Sequence, residues 1–186
     1  MLSSQNFFTV DIHTHIIPEN LPKWKEKFGY GEFVQLEHHK PCCARMMMDD
    51  AFFREIESNC WDPEQRLKEC GHHHVDVQVI STIPVMFSYW AEPKDGLEIA
   101  MYLNDHIADV CHRYPTRFVG LGTLPMQHTD LAIQELRRCK AIGLKGIQIG
   151  SHVNHMNLND PSLFPIFEAM QELDMALFVH PWWYSA

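Results

Sequence analysis

The sequence predicts an α/β fold, a parallel sheet wrapped by helices, on three observations. Five short apolar runs rich in Val, Ile and Phe recur along the chain. Amphipathic helical stretches fall between most of them, and strand–helix alternation of this kind belongs to parallel sheets with crossover helices. The alternation is broken once, over residues 20–60, directly after the first run.

The elements follow in order. FFTVDIH at 7–13 reads as the first buried strand. The break after it holds FGYGEFVQLEHH, a hairpin-like stretch, and then Met46 to Phe53, and reads as a small insertion over the mouth of the sheet. Asp62-Pro63 opens the first crossover helix, an N-cap followed by proline at the first helical position, and Gly71 ends it after Cys70. VDVQVIS at 75–81 is the second strand. A helix over about 93–113 follows, with Leu97, Ala100, Met101, Leu103, Ile107 and Val110 as its apolar face. RFVGLGT at 117–123 is the third strand, and a helix from Thr129 ends at Gly143. KGIQIGS at 145–151 is the fourth. Asp160-Pro161 starts the last helix, whose face carries Leu163, Ile166, Phe167, Met170 and Leu173. ALFVHP at 176–181 is the fifth strand.

Four βα units and a fifth strand make a little over half of an eight-fold set. A complete TIM-type (β/α)8 barrel needs ~250 residues, and the chain has 186. The expectation is a partial barrel forming a single incomplete domain over 1–186, with the insertion at 20–60 inside it. Its first and fifth strands would be open edges of a sheet built to close.

Composition bounds the partners. The formal net charge is −9, which argues against nucleic acid or an anionic membrane, since both call for clustered Lys and Arg. A small acidic substrate is compatible, provided a local cation meets it. The start MLSSQNFFTVDIH has no basic or apolar leader pattern, and no run approaches the ~18 apolar residues of a membrane span. None of the six cysteines forms a CxxC pair, so reduced thiols in the cytosol are expected. Thirteen histidines in this length are a first hint of metal chemistry.

The strongest local signal is Asp11-Ile12-His13-Thr14-His15 at the end of the first strand. Alternate residues of a strand share a face, so His13 and His15 point the same way. Neutral imidazoles held like this are good Zn²⁺ ligands, although two such histidines could equally hydrogen-bond within a polar pocket. His180 ends the fifth strand, at the end of the sheet where barrel enzymes place their chemistry. Three protein ligands plus water make a workable catalytic zinc site.

The strings VDIHTHIIPENLP, FGYGEFVQLEHH, FREIESNCWDPEQR, STIPVMFSYWAEP, RFVGLGTLPMQ, GIQIGSHVN and LFVHPW together resemble the aminocarboxymuconate semialdehyde decarboxylase family of amidohydrolase-type metal-dependent barrels. The resemblance covers about residues 9–182, and the tail Trp183-Tyr184-Ser185-Ala186 departs from it. It implies metal ligation by His13, His15 and His180, one divalent metal, zinc by preference, and no organic cofactor. It implies non-oxidative decarboxylation of 2-amino-3-carboxymuconate 6-semialdehyde in tryptophan–kynurenine catabolism, which limits quinolinate formation. The bound metal would bring its water toward a pKa of ~7. It further implies a fourth ligand, an Asp ending strand eight, and a catalytic His ending strand six, both beyond residue 186, so that no catalytic base is expected within this chain. Arg54 matches a family position that contacts a substrate carboxylate, as a bidentate guanidinium can. Read without the family, Arg54 is a surface residue paired with Glu55 or Glu57. The intact family is homodimeric and borrows a further arginine from the second subunit.

Two other readings stand beside this one. The chain is a catalytically inactive isoform or fragment that at most binds metal or full-length subunits, or it is a different amidohydrolase-like hydrolase. The remaining conspicuous residues are read as bland. His72, His73 and His74 are solvated at a helix end, where the dipole favours them. His38 and His39 are surface residues, Met46–Met48 core filler or loop, Met86, Phe87 and Trp90 packing or pocket lining, and Cys42-Cys43 has no role.

Overall fold

A computed structural model describes residues 7–182; the divergent tail, Trp183 to Ala186, lies outside the described residues. Five parallel strands form the main sheet: β1 (Val10–His15), β5 (Val77–Ser81), β6 (Phe118–Gly122), β7 (Gly146–Gly150) and β10 (Ala176–His180), in the spatial order β1-β5-β6-β7-β10. Helices α2 (Pro63–His72), α3 (Pro93–Arg113), α4 (Thr129–Ala141) and α5 (Phe164–Glu172) each precede the next strand. The sheet is a curled half-barrel. Parallel strands joined by helices on one side leave the opposite side of the curl for the interior layer.

Strand β1 starts later than the apolar run suggested and runs on to His15, because pairing sets its limits. Val10 faces Val77 and His15 faces Ser81, while Phe7 and Phe8 lie ahead of the ladder and are exposed. Helix α2 also departs from expectation by passing through Gly71 to His72. No atom stands within 4 Å of a Cβ placed at Gly71, so nothing there forces a turn. Its start is as the sequence reads, with the Asp62 side chain accepting from Glu64 N ahead of Pro63. At the end of α4, Gly143 takes φ +93°, a left-handed stop that a side chain would strain. After β7 come two short paired strands, β8 (His152–Val153) and β9 (Met156–Asn157), and the last helix then begins as a single 3₁₀ turn at Pro161–Leu163, capped by Asp160, before α5 proper.

The inner faces of α3, α4 and α5 supply most of the core. Ile107, Leu136, Ile166 and Met170 pack onto Ile80, Ile147 and Ile149, and each such side chain contributes ~1.5–3 kcal/mol when removed from water. One polar network lies inside it. Asn104 of α3 donates to Thr123 O at 2.9 Å and to Glu135 Oε1 at 2.6 Å, and accepts from Thr123 N at 2.8 Å. Arg138 grips Glu135 through Nε and Nη2, both at 2.8 Å.

Between β1 and α2 lies a separate antiparallel sheet, β2 (Val34–Lys40), β3 (Cys43–Met48) and β4 (Ala51–Glu57), preceded by the short helix α1 (Trp24–Phe28). The stretch FGYGEFVQLEHH holds one strand rather than a hairpin; the turn comes later, at Pro41 and Cys42. Trp24, Phe33, Val34, Met46 and Trp61 form a second core that meets Met86, Ile99 and Leu103. This contact seats the small sheet beside the ends of the barrel strands. No helix among the described residues is long and apolar enough to cross a membrane.

Candidate metal centre

Three side chains converge at the carboxyl end of the half-barrel. His13 and His15 come from the last residues of β1, and His180 is the last residue of β10. One nitrogen from each of the three lies within 4.8 Å of the others. The ring of His13 is 5.1 Å from that of His15 and 4.8 Å from that of His180, and the His15 and His180 rings are 5.2 Å apart. Phe178 sits 5.1 Å from His13, one layer below. His13 is exposed, while His15 and His180 are half-buried.

The electrostatics favour lone pairs over protons. Burial, then the neighbouring His180 and His13, bring the His15 pKa down from 6.5 to about 4. Its Nδ1 lies 3.0 Å from Thr82 O and 3.2 Å from Ser81 Oγ, which leaves Nε2 to face the cluster. His180 Nδ1 is similarly engaged, 2.6 Å from Pro181 O. Zinc at ~2.1 Å from each nitrogen sets nitrogens ~3.4 Å apart in tetrahedral geometry, which small side-chain rotations reach. A set of three imidazoles, of which His15 and His180 have their second nitrogen against a carbonyl, therefore fits a divalent ion of the zinc type.

The backbone beneath the cluster is tied down by a residue that the sequence reading passed over. Arg66 of α2 donates through Nη2 to His15 O and, at 2.8 Å, to Asn59 O, and through Nη1 to Gln78 Oε1 at 3.3 Å. Ser81, Thr82 and the fully buried Gln148 were also missed. A signal was present for Gln148. It is an amide between Ile147 and Ile149 in a strand of a parallel sheet, where near-continuous apolar sequence is the rule and a buried polar group needs a partner.

A cavity of about 440 Å³ opens on the cluster, lined by His15, His180 and Arg54 among mainly apolar side chains, including Ile17, Met46, Ile56 and Val85. The sequence reading of Arg54 left two environments open, and the structure places it at this cavity. Among the described residues it forms no ion pair with Glu55 or Glu57; its guanidinium lies 4.9 Å from the Phe53 ring, and Glu55 faces His39 at 3.4 Å. Met86 and Phe87 are packed in the cores, and the cavity wall in that loop comes from Ile83, Pro84 and Val85. His72, His73 and His74 are exposed. A larger hollow, about 770 Å³, lies at the opposite ends of the strands between Thr9, Asp76 and Arg117 and contains none of the clustered histidines.

Comparison with known proteins places this arrangement. Residues 10–186 match the family described as amidohydrolase. The 2-amino-3-carboxymuconate-6-semialdehyde decarboxylase of Dictyostelium discoideum is 61% identical over 174 residues, covering 93% of this chain and 48% of that protein. A solved 5-carboxyvanillate decarboxylase from Novosphingobium aromaticivorans, complexed with manganese, is 30% identical with a TM-score of 0.63, over 67% of this chain and 36% of its own. A Metarhizium anisopliae IDCase in apo form, 23% identical, shares the fold with a TM-score of 0.77 over 97% of this chain and 52% of its own. The chain spans about half the length of the curated relatives it matches.

Proposed function

The chain belongs to the amidohydrolase family, and from that premise we propose that it carries the metal ligands and part of the substrate pocket of a zinc-dependent decarboxylase acting on 2-amino-3-carboxymuconate 6-semialdehyde. The observation that carries this reading is the meeting of His13, His15 and His180, the last two of which line a cavity that Arg54 also lines. The identity to the Dictyostelium discoideum decarboxylase supports the choice of substrate. The manganese-bound Novosphingobium aromaticivorans enzyme supports a divalent metal, and three imidazoles favour zinc.

Held by His13, His15 and His180, the metal would supply Lewis-acid chemistry. The chain's own residues do the rest of what this half offers. Arg54 takes a substrate carboxylate in bidentate fashion. The apolar wall of Ile17, Ile56 and Val85 keeps water from the carbon that loses CO₂. Thr82 O and Pro181 O hold the His15 and His180 rings in place. The proton that replaces CO₂ comes, in this reading, from a histidine of the intact homodimeric protein beyond this chain. Six free cysteines support a reducing compartment, the cytosol, as its place of work.

A second reading rests on the sheet edges. Val10 and Ile12 of β1 and Leu177 and Val179 of β10 are exposed, which favours a role as an inactive chain that associates with other subunits. Zinc content and decarboxylase activity of the purified chain, measured on one sample, test the main proposal. About one zinc per chain, lost on replacing His13 and His15 with Gln, is expected, with little turnover. Failure to bind zinc, or zinc retained in that variant, overturns the metal centre. A monodisperse monomer by size exclusion argues against the second reading.

A further inference from the structure

Gln148 sits at the centre of β7 with no exposed surface, in contact with the end of a different strand. In the sheet order β6 lies between β5 and β7, so the Gln148 side chain reaches across the inside of the curl rather than along the ladder. It makes two bonds there. Its Nε2 donates to Thr82 O at 3.0 Å, and its Oε1 accepts from Ser81 Oγ. Those two groups are the ones that face His15 Nδ1, at 3.0 and 3.2 Å.

We propose that Gln148 is a positioning residue that fixes the tautomer of His15 by committing the Ser81 hydroxyl proton. This rests on the reading of His15 as a metal ligand. The argument is a count of protons. Thr82 O can only accept, and a carbonyl has two lone pairs, one for the amide of Gln148 and one for His15. Ser81 has one hydroxyl proton and three acceptors around it: Gln148 Oε1, Thr14 O at 3.1 Å and His15 Nδ1. While that proton goes to Gln148, Ser81 offers His15 only lone pairs. Both groups facing Nδ1 are then acceptors, the imidazole proton stays on Nδ1, and the Nε2 lone pair faces His13 and His180. Without the Gln148 carbonyl, the Ser81 proton is divided between Thr14 O and Nδ1. In the share that faces Nδ1, the His15 proton moves to Nε2 against the pull of Thr82 O, and that share has no lone pair for an ion.

The test is the tautomer itself, read from long-range ¹H–¹⁵N correlations of the imidazole nitrogens in the metal-free chain near neutral pH. The His15 signals are assigned by their loss in His15→Gln. Zinc affinity is measured alongside by competition with a chromophoric chelator. The expected result is His15 protonated on Nδ1 in the wild type. Gln148→Met shifts a measurable fraction to Nε2–H and weakens zinc by the inverse of the Nδ1–H share that remains, about twofold where half is lost. Ser81→Ala keeps Nδ1–H, and Ser81→Ala with Gln148→Met restores it along with most of the affinity, which a packing defect would not do. A wild-type His15 protonated on Nε2, or a Gln148→Met protein with an unchanged tautomer, overturns the proposal. The wild-type and Ser81→Ala spectra keep the test decisive if Gln148→Met does not fold. Tautomers that follow this pattern in a chain unable to bind zinc would sink the metal centre and leave the role of Gln148 standing. Zinc binding with a His15 tautomer indifferent to Gln148 would do the reverse.

Discussion

His13 and His180 stand with their ring centroids 4.8 Å apart although their strands, β1 and β10, lie at opposite edges of the five-stranded sheet. Curvature brings them together. A flat sheet with strands ~4.8 Å apart would put its two edge strands ~19 Å from one another.

In the proposed metal centre that meeting makes each of the three histidines separately necessary. Single replacements His13→Gln, His15→Gln and His180→Gln should each weaken zinc by tenfold or more, with little change in secondary structure. Chelator competition and circular dichroism on the same samples check this. A His180 variant that binds as well as wild type would mean that the β1 pair alone holds the ion.

Arg54 offers its guanidinium to the cavity without an acidic partner among the described residues. A charge-assisted bond to a carboxylate is worth ~1.5–3 kcal/mol. Arg54→Ala should therefore weaken the binding of an unreactive dienedicarboxylate such as muconate to the zinc-loaded chain by roughly ten- to a hundredfold, and Arg54→Lys by less. Isothermal titration measures it, and equal affinities in all three proteins would remove Arg54 from the substrate site.

Most of the fold was legible because it is periodic. The runs at 75–81, 117–123, 145–151 and 176–181 contain β5, β6, β7 and β10, and the apolar face of 93–113 is α3. What escaped was set by contacts distant in sequence. Nothing local told that β1 would begin only at Val10, where its pairing with Val77 starts. The five residues of α1 are too few for a periodic signal. The clustered histidines could be read from the chain because ligands must share a face or an end of the sheet. Arg66 and Thr82 could not, because their work is done on backbone carbonyls or by one, which leaves no residue-type pattern.

Arg66 holds two carbonyls on different segments, His15 O and Asn59 O. Arg66→Met should lower stability by about 2 to 4 kcal/mol, the cost of stranding part-buried acceptors. Urea denaturation gives the value. A change under ~0.5 kcal/mol would mean that water replaces the guanidinium.

The Glu135–Asn104–Arg138 network is a second test of stability. Glu135 is 1% exposed and meets both partners. Removing Glu135 takes a buried acceptor from Asn104, while Arg138 keeps its ion pair with Asp105, so Glu135→Ala should cost about 2 kcal/mol, and Glu135→Gln, which keeps an acceptor for Asn104, less. Equal losses for the two would place the whole cost in packing.

Acid should destabilise the metal-free chain. Burial, then the nearby Arg113, hold the His106 pKa down at about 4, against 6.5 in the unfolded chain, and His15 is shifted the same way to about 4. A folded group with a depressed pKa stays neutral while its unfolded counterpart takes a proton. The stability from each is therefore complete above pH 6.5 and lost as pH falls toward 4. Unfolding free energies from urea titrations at pH 7 and 5 should differ by about 1 to 2 kcal/mol per group, and His106→Leu should flatten the dependence by roughly half. A dependence unaltered in that variant would assign it elsewhere.

The placing of the three histidines also bears on how the protein comes into being. His13 and His180 stand near the two ends of the described residues, so an ion gripped by all three closes a loop that runs through every crossover of the half-barrel. Such a loop is costly to close before the strands between are laid down. The grip is thus available only to a chain whose β1, β5, β6, β7 and β10 are already in order, and zinc taken up during refolding would mark the arrival of the last strand rather than the start of collapse.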